Sequence, residues 1–401
     1  MADTTEKKWG EDVFGLISWF KTEKVKNAKI MVVGAGALGN EVLKDLALFG
    51  VGNLVVVDFD EIEYSNLTRS VLFRPEDADK GFFKAEVVAK RLREINPTIN
   101  VLAINGDLAI DVGLAVYRQM DVIISCVDSV RARTLLNRLS FRAGKIWIDG
   151  GIGDLGGYVS VYQLGRHCYE CTPRENIRVS CPQIARGNEK LGRMATTPLS
   201  ASIIGAVQAQ ETMKIVHDEE LKSGKFSTLI GKMFKYEGQH NEAYTYKFPS
   251  YEEYCISHEY WENIIEIPGL SADTKTGEAL KIIGKALGVE SVTINLRNGA
   301  FVDYLISLSD DRRFEVMLPA PKIPNFIDAS NELEFLSVKD GGLFTNSYEN
   351  IDEEFPYLDL TLNQIGIPHF DVLQITTGKM GEKECVYVEL SADKERYKSL
   401  F

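Results

Sequence analysis

The chain has 401 residues, enough for two or three domains. Its composition is that of an ordinary globular protein, and its formal net charge of −13 argues against general nucleic-acid binding, which needs a basic footprint. No apolar run approaches the roughly 18 residues of a membrane span, and Met1–Lys8 is polar and charged with no signal-peptide core, so a cytoplasmic protein is expected. In chain order, residues 29–58 read KIMVVGAGALGNEVLKDLALFGVGNLVVVD. A short apolar run, Ile30 to Val33, meets a glycine turn and then a helical pattern with Leu38, Val42, Leu43 and Leu46 on one face. A second buried strand, Leu54 to Val57, ends in Asp58.

The pattern then repeats more loosely. FFKAEVVAKRLREIN predicts a helix, NVLAIN and DVIISCVD strands, SVRARTLLNRLSFRAG a helix and KIWIDGG a strand. SASIIGAVQAQETMKIVHDE predicts a further helix whose small residues suit close packing. Alternation of this kind predicts an α/β fold: a Rossmann-like, mostly parallel sheet with helices on both faces. Character changes after about residue 265. KTGEALKIIGKALG reads as a helix, and SVTINLRNGAFVDYLISLSDDRRFEVMLPAP and KECVYVELSA alternate like half-exposed antiparallel strands. The expectation is two domains, 1–265 and a smaller α+β domain at 266–401.

GAGALG, Gly34 to Gly39, fits GxGxxG between strand and helix. Gly34, Gly36, Ala37 and Gly39 would let a phosphate approach backbone N–H groups at a helix start, and Asp58 is placed for ribose hydroxyls. Beyond Asp58 the chain departs from the usual dehydrogenase pattern. DFDEIEYSNLTRSVLF brings Asp60, Asn66 and Arg69, Lys84 opens the next helix, and Asp128 ends a buried strand. Two cations suit a triphosphate, and a carboxylate at a strand end suits Mg²⁺. A nicotinamide-dependent dehydrogenase fits only the glycine loop and Asp58.

These stretches in combination resemble the ThiF/MoeB-type adenylyltransferases and the activating enzymes of ubiquitin-like proteins, over about residues 25–262. The resemblance implies that ATP and Mg²⁺ bind and that the C-terminal glycine carboxylate of a ubiquitin-like or sulfur-carrier protein is adenylated. It places Asp58 and Asp60 on ribose, Asn66, Arg69 and Lys84 on phosphates, and Asp128 on the metal. Ser70 stands where the family usually has Gln, and Ser129 where it usually has Asn. The N-terminal arginine that often reaches a partner subunit's nucleotide is absent from KKWGEDVFGLISWF. Lys7 or Lys8 substitutes, a partner chain supplies the cation, or the role is missing.

Six cysteines are spread too thinly for a disulfide scaffold. Three fall in CYECTPRENIRVSC: the pair Cys168 and Cys171, and Cys181. In the family a CxxC here joins a later CxxC on zinc; in this chain the later element is Cys255-Ile-Ser-His258. Cys168, Cys171, Cys255 and His258 are therefore expected to bind a structural Zn²⁺, with His167 a competing ligand. Cys181, flanked by Arg174, Arg178 and Arg186, matches the position of the thioester-forming nucleophile of activating enzymes. Cys126 and Cys385 read as packing residues. Residues 361–374, with TLNQIGIPHFDVL, faintly resemble the ubiquitin-fold tail that recruits conjugating enzymes; a short helix, a turn and a strand are expected there. A dimer, homo- or hetero-, is implied by the resemblance. Three readings stay open: adenylation followed by thioester transfer, adenylation alone for sulfur transfer, and a non-catalytic subunit of a dimer.

Overall fold

The computed structural model describes residues 11–171, 196–249, 251, 254–297, 299–308, 310–330, 333, 343–378 and 384–400. Cys181 and the three arginines near it, like Lys7 and Lys8, lie outside these residues. The described residues fall into two compact units, one within 1–108, 117–260 and 399–401, the other within 109–116 and 261–398. The division after Tyr260 is five residues before the expected one, and residues 109–116 go with the second unit. Sequence pattern missed that segment because it is too short to have its own periodicity. Its anchor is specific: the Leu114 N–H donates to Asp371 Oδ1 at 2.6 Å.

The first unit holds an eight-stranded sheet. Its strands are β1 (Lys29–Val33), β2 (Asn53–Val57), β3 (Asn100–Ile104), β4 (Val122–Ser125), β5 (Ile146–Ile152), β6 (Gly156–Tyr162), β7 (Lys232–Glu237) and β8 (Glu242–Lys247), in the order β3-β2-β1-β4-β5-β6-β7-β8. Strands β1 to β5 pair in parallel, and β6, β7 and β8 add antiparallel. The sheet is thus mixed, with a parallel half and an antiparallel half, and less parallel than expected. The parallel half is apolar on both faces: Ile30 to Val33, Leu54 to Val57 and Val122 to Ile124 are all buried. Strand β8 is exposed along its whole length.

The sheet is flanked by helices α1 (Ala37–Phe49), α2 (Lys84–Ile95), α3 (Val130–Arg142) and α4 (Pro198–Val216). Helix α1 begins at Gly36 and stops at Gly50, whose φ of 82° closes the helix by donating its N–H to Leu46 and Ala47 carbonyls. Its buried Leu38, Val42, Leu43 and Leu46 enter the core. Helix α4 starts on a Thr197 cap with Pro198 in the first turn. It packs on α1 closely enough that a Cβ at Gly205 would come within 2.9 Å of Glu41 Cβ. No described helix is long and apolar enough to cross a membrane.

The second unit contains a five-stranded sheet of β9 (Ile265–Glu266), β10 (Val292–Asn295), β14 (Asn350–Ile351), β15 (Val372–Thr377) and β16 (Glu384–Glu389), in the order β14-β10-β15-β16-β9. A three-stranded sheet, β12-β11-β13, joins β11 (Phe301–Ser307), β12 (Arg313–Pro319) and β13 (Leu343–Tyr348). Helix α5 (Thr276–Leu287) packs on β10, and Ala279, Leu280 and Ile283 share a core with Ile294, Ile375 and Val388. Residues 361–370 form turns, with Gly366 at φ 100°, and no helix; β15 begins at Val372.

Candidate functional site

A cleft of about 300 Å³ opens at the carboxyl ends of the parallel strands. Gly34, Gly36 and Ala37, Asp58 and Asp60, Asn66, Arg69, Lys84 and Asp128 all line it. Nine of the ten residues expected at a nucleotide site are therefore brought together. Gly39 is not among the lining residues. A Cβ there would sit 1.9 Å from the Gly34 carbonyl oxygen, so its role is to let α1 close against the loop. Gly34 has φ 94°, and a Cβ there would meet the Cys126 carbonyl oxygen at 2.6 Å.

The loop is also held by side chains that motif reading passed over. Asn40 is fully buried; its Nδ2 donates to the carbonyls of Ala35 at 2.7 Å and Gly36 at 3.0 Å, and its Oδ1 accepts from Leu72 N at 2.9 Å. Asp58 Oδ2 accepts from Ala35 N at 2.6 Å and Oδ1 from Asp60 N at 2.9 Å. Burial raises the Asp58 carboxyl above the usual carboxylate range, opposed by the Lys84 charge. The carboxylate thus spans the glycine loop and the segment after β2.

The cations are tethered but not sealed. Lys84 Nζ lies 2.6 Å from Asp60 Oδ2; the lysine side chain is buried and Asp60 is half exposed. Arg69 Nη1 donates to the Ser65 carbonyl at 2.9 Å. Asn66 Oδ1 accepts from Glu63 N at 2.9 Å and closes the short 3₁₀ turn Tyr64–Asn66. Asp128 is exposed at the mouth of the cleft. The two departures from the family pattern take different local roles. Ser129 caps α3, accepting from Ala132 N at 3.1 Å. Ser70 is buried, and its hydroxyl has no hydrogen-bond partner among the described residues.

The floor of the cleft adds a residue the motifs did not mark. Arg133 lines it with Val127 and Gly150 and forms a buried ion pair with Asp149, Nε to Oδ1, at 3.1 Å. Nothing in the sequence separates it from the solvated arginines of the same helix, such as Arg131. Cys126 also lines the cleft, and burial pushes its thiol far above the ordinary range. A thiol shifted in that direction is disfavoured as the thiolate nucleophile.

A second cluster lies elsewhere in the same unit. One ligand atom each from Cys168, Cys171, Cys255 and His258 falls within 4.8 Å of every other. The sulfurs of Cys168 and Cys255 are 3.7 Å apart, and Cys171 Sγ is 3.2 Å from His258 Nε2. Thiols joined around a zinc ion at about 2.3 Å in a tetrahedron stand roughly 3.7 Å apart, so the donor set fits that metal in kind and spacing. The His258 ring is stacked between Phe141 and Tyr251, with centroids at 5.3 and 4.5 Å. Beside it, Arg138 holds Glu170 by two bonds of 3.0 and 2.7 Å, and Ser257 donates to the same carboxylate. His167 lies outside the cluster, stacked on Phe248 at 4.7 Å.

Three comparisons with known proteins bear on the chain as a whole. The model of the ThiF family matches residues 9–255. Over 153 residues the chain is 35% identical to SUMO-activating enzyme subunit 2 of Dictyostelium discoideum, covering 38% of this chain and only 23% of that protein's length. Over 202 residues it is 33% identical to the sulfur carrier protein adenylyltransferase of Thermus thermophilus, covering 48% of this chain and 71% of that protein. Among solved structures, that of Escherichia coli MccB with AMPCPP and MccA aligns with a TM-score of 0.51 and 23% identity, over 64% of this chain and 75% of that one. The last is a likeness of fold.

Proposed function

The chain belongs to the ThiF family, and on that premise we propose that it is an ATP-dependent adenylyltransferase acting on the C-terminal carboxylate of a ubiquitin-like or sulfur-carrier protein. The observation that carries the reading is the convergence of Asp58, Arg69, Lys84 and Asp128 on one glycine-loop cleft. A carboxylate oxygen of the protein substrate attacks the α-phosphorus of ATP. The acyl–phosphate bond forms as the bond to pyrophosphate breaks. Such a transfer needs alignment and neutralised charge more than acid–base catalysis. Asp58 and Asp60 would hold the ribose, the loop at Gly34 to Ala37 and Asn66 the phosphates, and Arg69 and Lys84 the charge that builds on the leaving group. Bound Mg²⁺ would screen phosphate charge, held by Asp128, whose exposed carboxylate fits a hard cation.

The second step proposed is attack of the Cys181 thiolate on the acyl adenylate, forming a thioester and releasing AMP, before transfer to a conjugating partner. Residues 361–374 are the proposed docking element for that partner. The alternative, adenylation for sulfur transfer, is favoured by the 71% coverage of the Thermus adenylyltransferase. A non-catalytic subunit of a dimer is the third reading, kept by Ser70 and Ser129. Zinc at Cys168, Cys171, Cys255 and His258 would have a structural role, since all four positions are taken by protein. The setting proposed is the cytoplasm and the assembly a dimer.

ATP–pyrophosphate exchange tests the adenylation. Exchange that depends on a protein ending in glycine, and is lost in Lys84→Ala, supports it; no exchange with any such protein removes it. A thiol-labile adduct that forms with ATP and disappears in Cys181→Ala separates thioester transfer from adenylation alone.

A further inference from the structure

Under the cleft lies a buried charged network to which the adenylation chemistry above assigns nothing. Arg133 is 2% exposed and Asp149 is fully buried. The guanidinium donates from Nε to Asp149 Oδ1 at 3.1 Å, and from Nη2 to the carbonyls of Val127 at 2.7 Å and Gly150 at 3.2 Å. Asp149 is fixed in turn: Oδ1 accepts from Ser125 Oγ at 2.9 Å and Oδ2 from Tyr158 OH at 2.9 Å. Removing an ion pair from water is costly, and well-packed apolar residues of the same volume are often as stabilising. Stability alone therefore does not account for this pair.

Its geometry does. Val127 is the residue immediately before Asp128, and Gly150 stands near the end of β5, the neighbouring strand. Both line the cleft. One planar fork thus ties the two strand-end segments of the cleft floor at a fixed separation. The guanidinium holds these donors in one rigid plane, Nε on the carboxylate and Nη2 on the two carbonyls; a lysine ammonium would keep the charge and three donors but not that fixed geometry. The cap of α3 by Ser129 anchors the other side of Asp128, so Asp128 hangs between two restraints. Resting on the adenylation reading, we propose that Arg133 is a positioning residue for Asp128, and that Asp149, Ser125 and Tyr158 exist to orient its guanidinium.

The test is a double-mutant cycle in the full-length protein, following ATP–pyrophosphate exchange against Mg²⁺ concentration. Without turnover, it also follows the binding of Mn²⁺ in the presence of the ATP analogue AMPCPP, which should weaken several-fold in Arg133→Lys; unchanged Mn²⁺ binding overturns the proposal. Four proteins are compared: wild type, Asp128→Asn, Arg133→Lys and the double variant. Displacing a metal-holding group by a fraction of an ångström to an ångström is expected to lower turnover about 10- to 100-fold in Arg133→Lys. The Mg²⁺ concentration at half-maximal rate should rise several-fold, with KM for the protein substrate within about twofold. The double variant should be no slower than Asp128→Asn alone, because the two residues act as one unit. Losses that multiply, or an unchanged Mg²⁺ requirement, overturn the proposal. If Arg133→Lys does not fold, Tyr158→Phe removes only one support of Asp149. It should show the same Mg²⁺ shift at about threefold, and no shift overturns the proposal equally. Wild-type protein without any exchange defeats the adenylation reading itself. Wild-type exchange that is reduced but measurable in Asp128→Asn, with multiplicative losses in the cycle, defeats only the role of Arg133.

Discussion

The cleft and the Cys/His cluster are built in the same unit from the same kind of material, loops at the ends of buried elements, yet they are constructed in opposite ways. In the cluster four donor atoms already converge within 4.8 Å, walled by two aromatic rings and a bound carboxylate. In the cleft the charged side chains stand apart around about 300 Å³, each tethered to something replaceable: Lys84 to a half-exposed Asp60, Arg69 to a backbone carbonyl. A small ion is held by closing a shell around it. A large anionic ligand requires charges that can leave weak partners for stronger ones. The first arrangement suits permanence and the second turnover.

The largest expected effect breaks the cleft and spares the fold. Lys84→Ala should cut ATP–pyrophosphate exchange by about 10² to 10³, the scale of losing one preorganised charge at a transition state. Its partner Asp60 is solvated, so the melting temperature should move little. A folded Lys84→Ala protein with near-normal exchange would show that the charge is a surface ion pair and no more. The cluster should answer in the reverse manner. Cys255→Ser should lose bound zinc on metal analysis and melt about 5–10 °C lower, as expected when a ligand of a structural site is removed. Exchange at 20 °C should persist in the fraction that stays folded. Full metal content in the variant would refute the zinc assignment, and abolished exchange in a folded variant would refute the division of labour.

Asn40 tests whether the division is clean. By function it belongs to the cleft, since it holds the carbonyls of Ala35 and Gly36; by burial it belongs to the core. Asn40→Ala would leave the Leu72 N–H without its acceptor, at a cost of about 1–3 kcal/mol. The same variant should raise KM for ATP several-fold, because the glycine loop loses its brace. A drop in stability with unchanged KM would assign Asn40 wholly to the core.

These cases also show what could be read from the sequence. The parallel strands and their helices were legible because burial on both faces leaves continuous apolar runs such as Met31–Val33 and Leu54–Val57. The Cys/His set was legible because its residue types are rare and their chemistry names their partners. The glycine loop was legible as a turn, but not that Gly39 stands behind the cleft lining, where a Cβ would meet the Gly34 carbonyl oxygen. Asn40 and Arg133 were not legible: a polar residue inside a helix reads as a solvated face until tertiary contacts show it buried. The expected helix near 361–374 failed for a related reason. Leu362, Ile365 and Ile367 are all buried, but Gly366 at φ 100° turns the chain before the last of them. Residues 109–116 were invisible because the partner of Leu114 lies more than 250 positions away.

The smallest effect separates acid sensitivity of the cluster from that of the fold around it. His217, at the end of α4, is 1% exposed and belongs to neither site. Its Nε2 accepts from Lys21 N at 2.9 Å, which leaves Nδ1–H to donate to the Met213 carbonyl at 2.7 Å. Burial lowers its pKa, opposed by that carbonyl and by Glu220, while Lys24 and Lys21 push the same way as burial. For a base whose folded pKa is depressed, the unfolded chain binds more protons, so stability is full above the unfolded value near 6.5 and falls as pH drops below it, by at most about 1.4 kcal/mol per pH unit. Asp58 cannot mimic this, because its raised pKa favours the folded state as pH falls. Asp218, held low by Lys222 and Lys24, loses its contribution only below the ordinary carboxylate range. Thermal melts of Cys255→Ser, already lacking metal, at pH 7.5, 6.5 and 5.5 should therefore still show a fall between the last two. Adding His217→Gln should lower the midpoint at pH 7.5 and flatten that fall. An equally steep fall with glutamine at 217 would place the acid response in other groups.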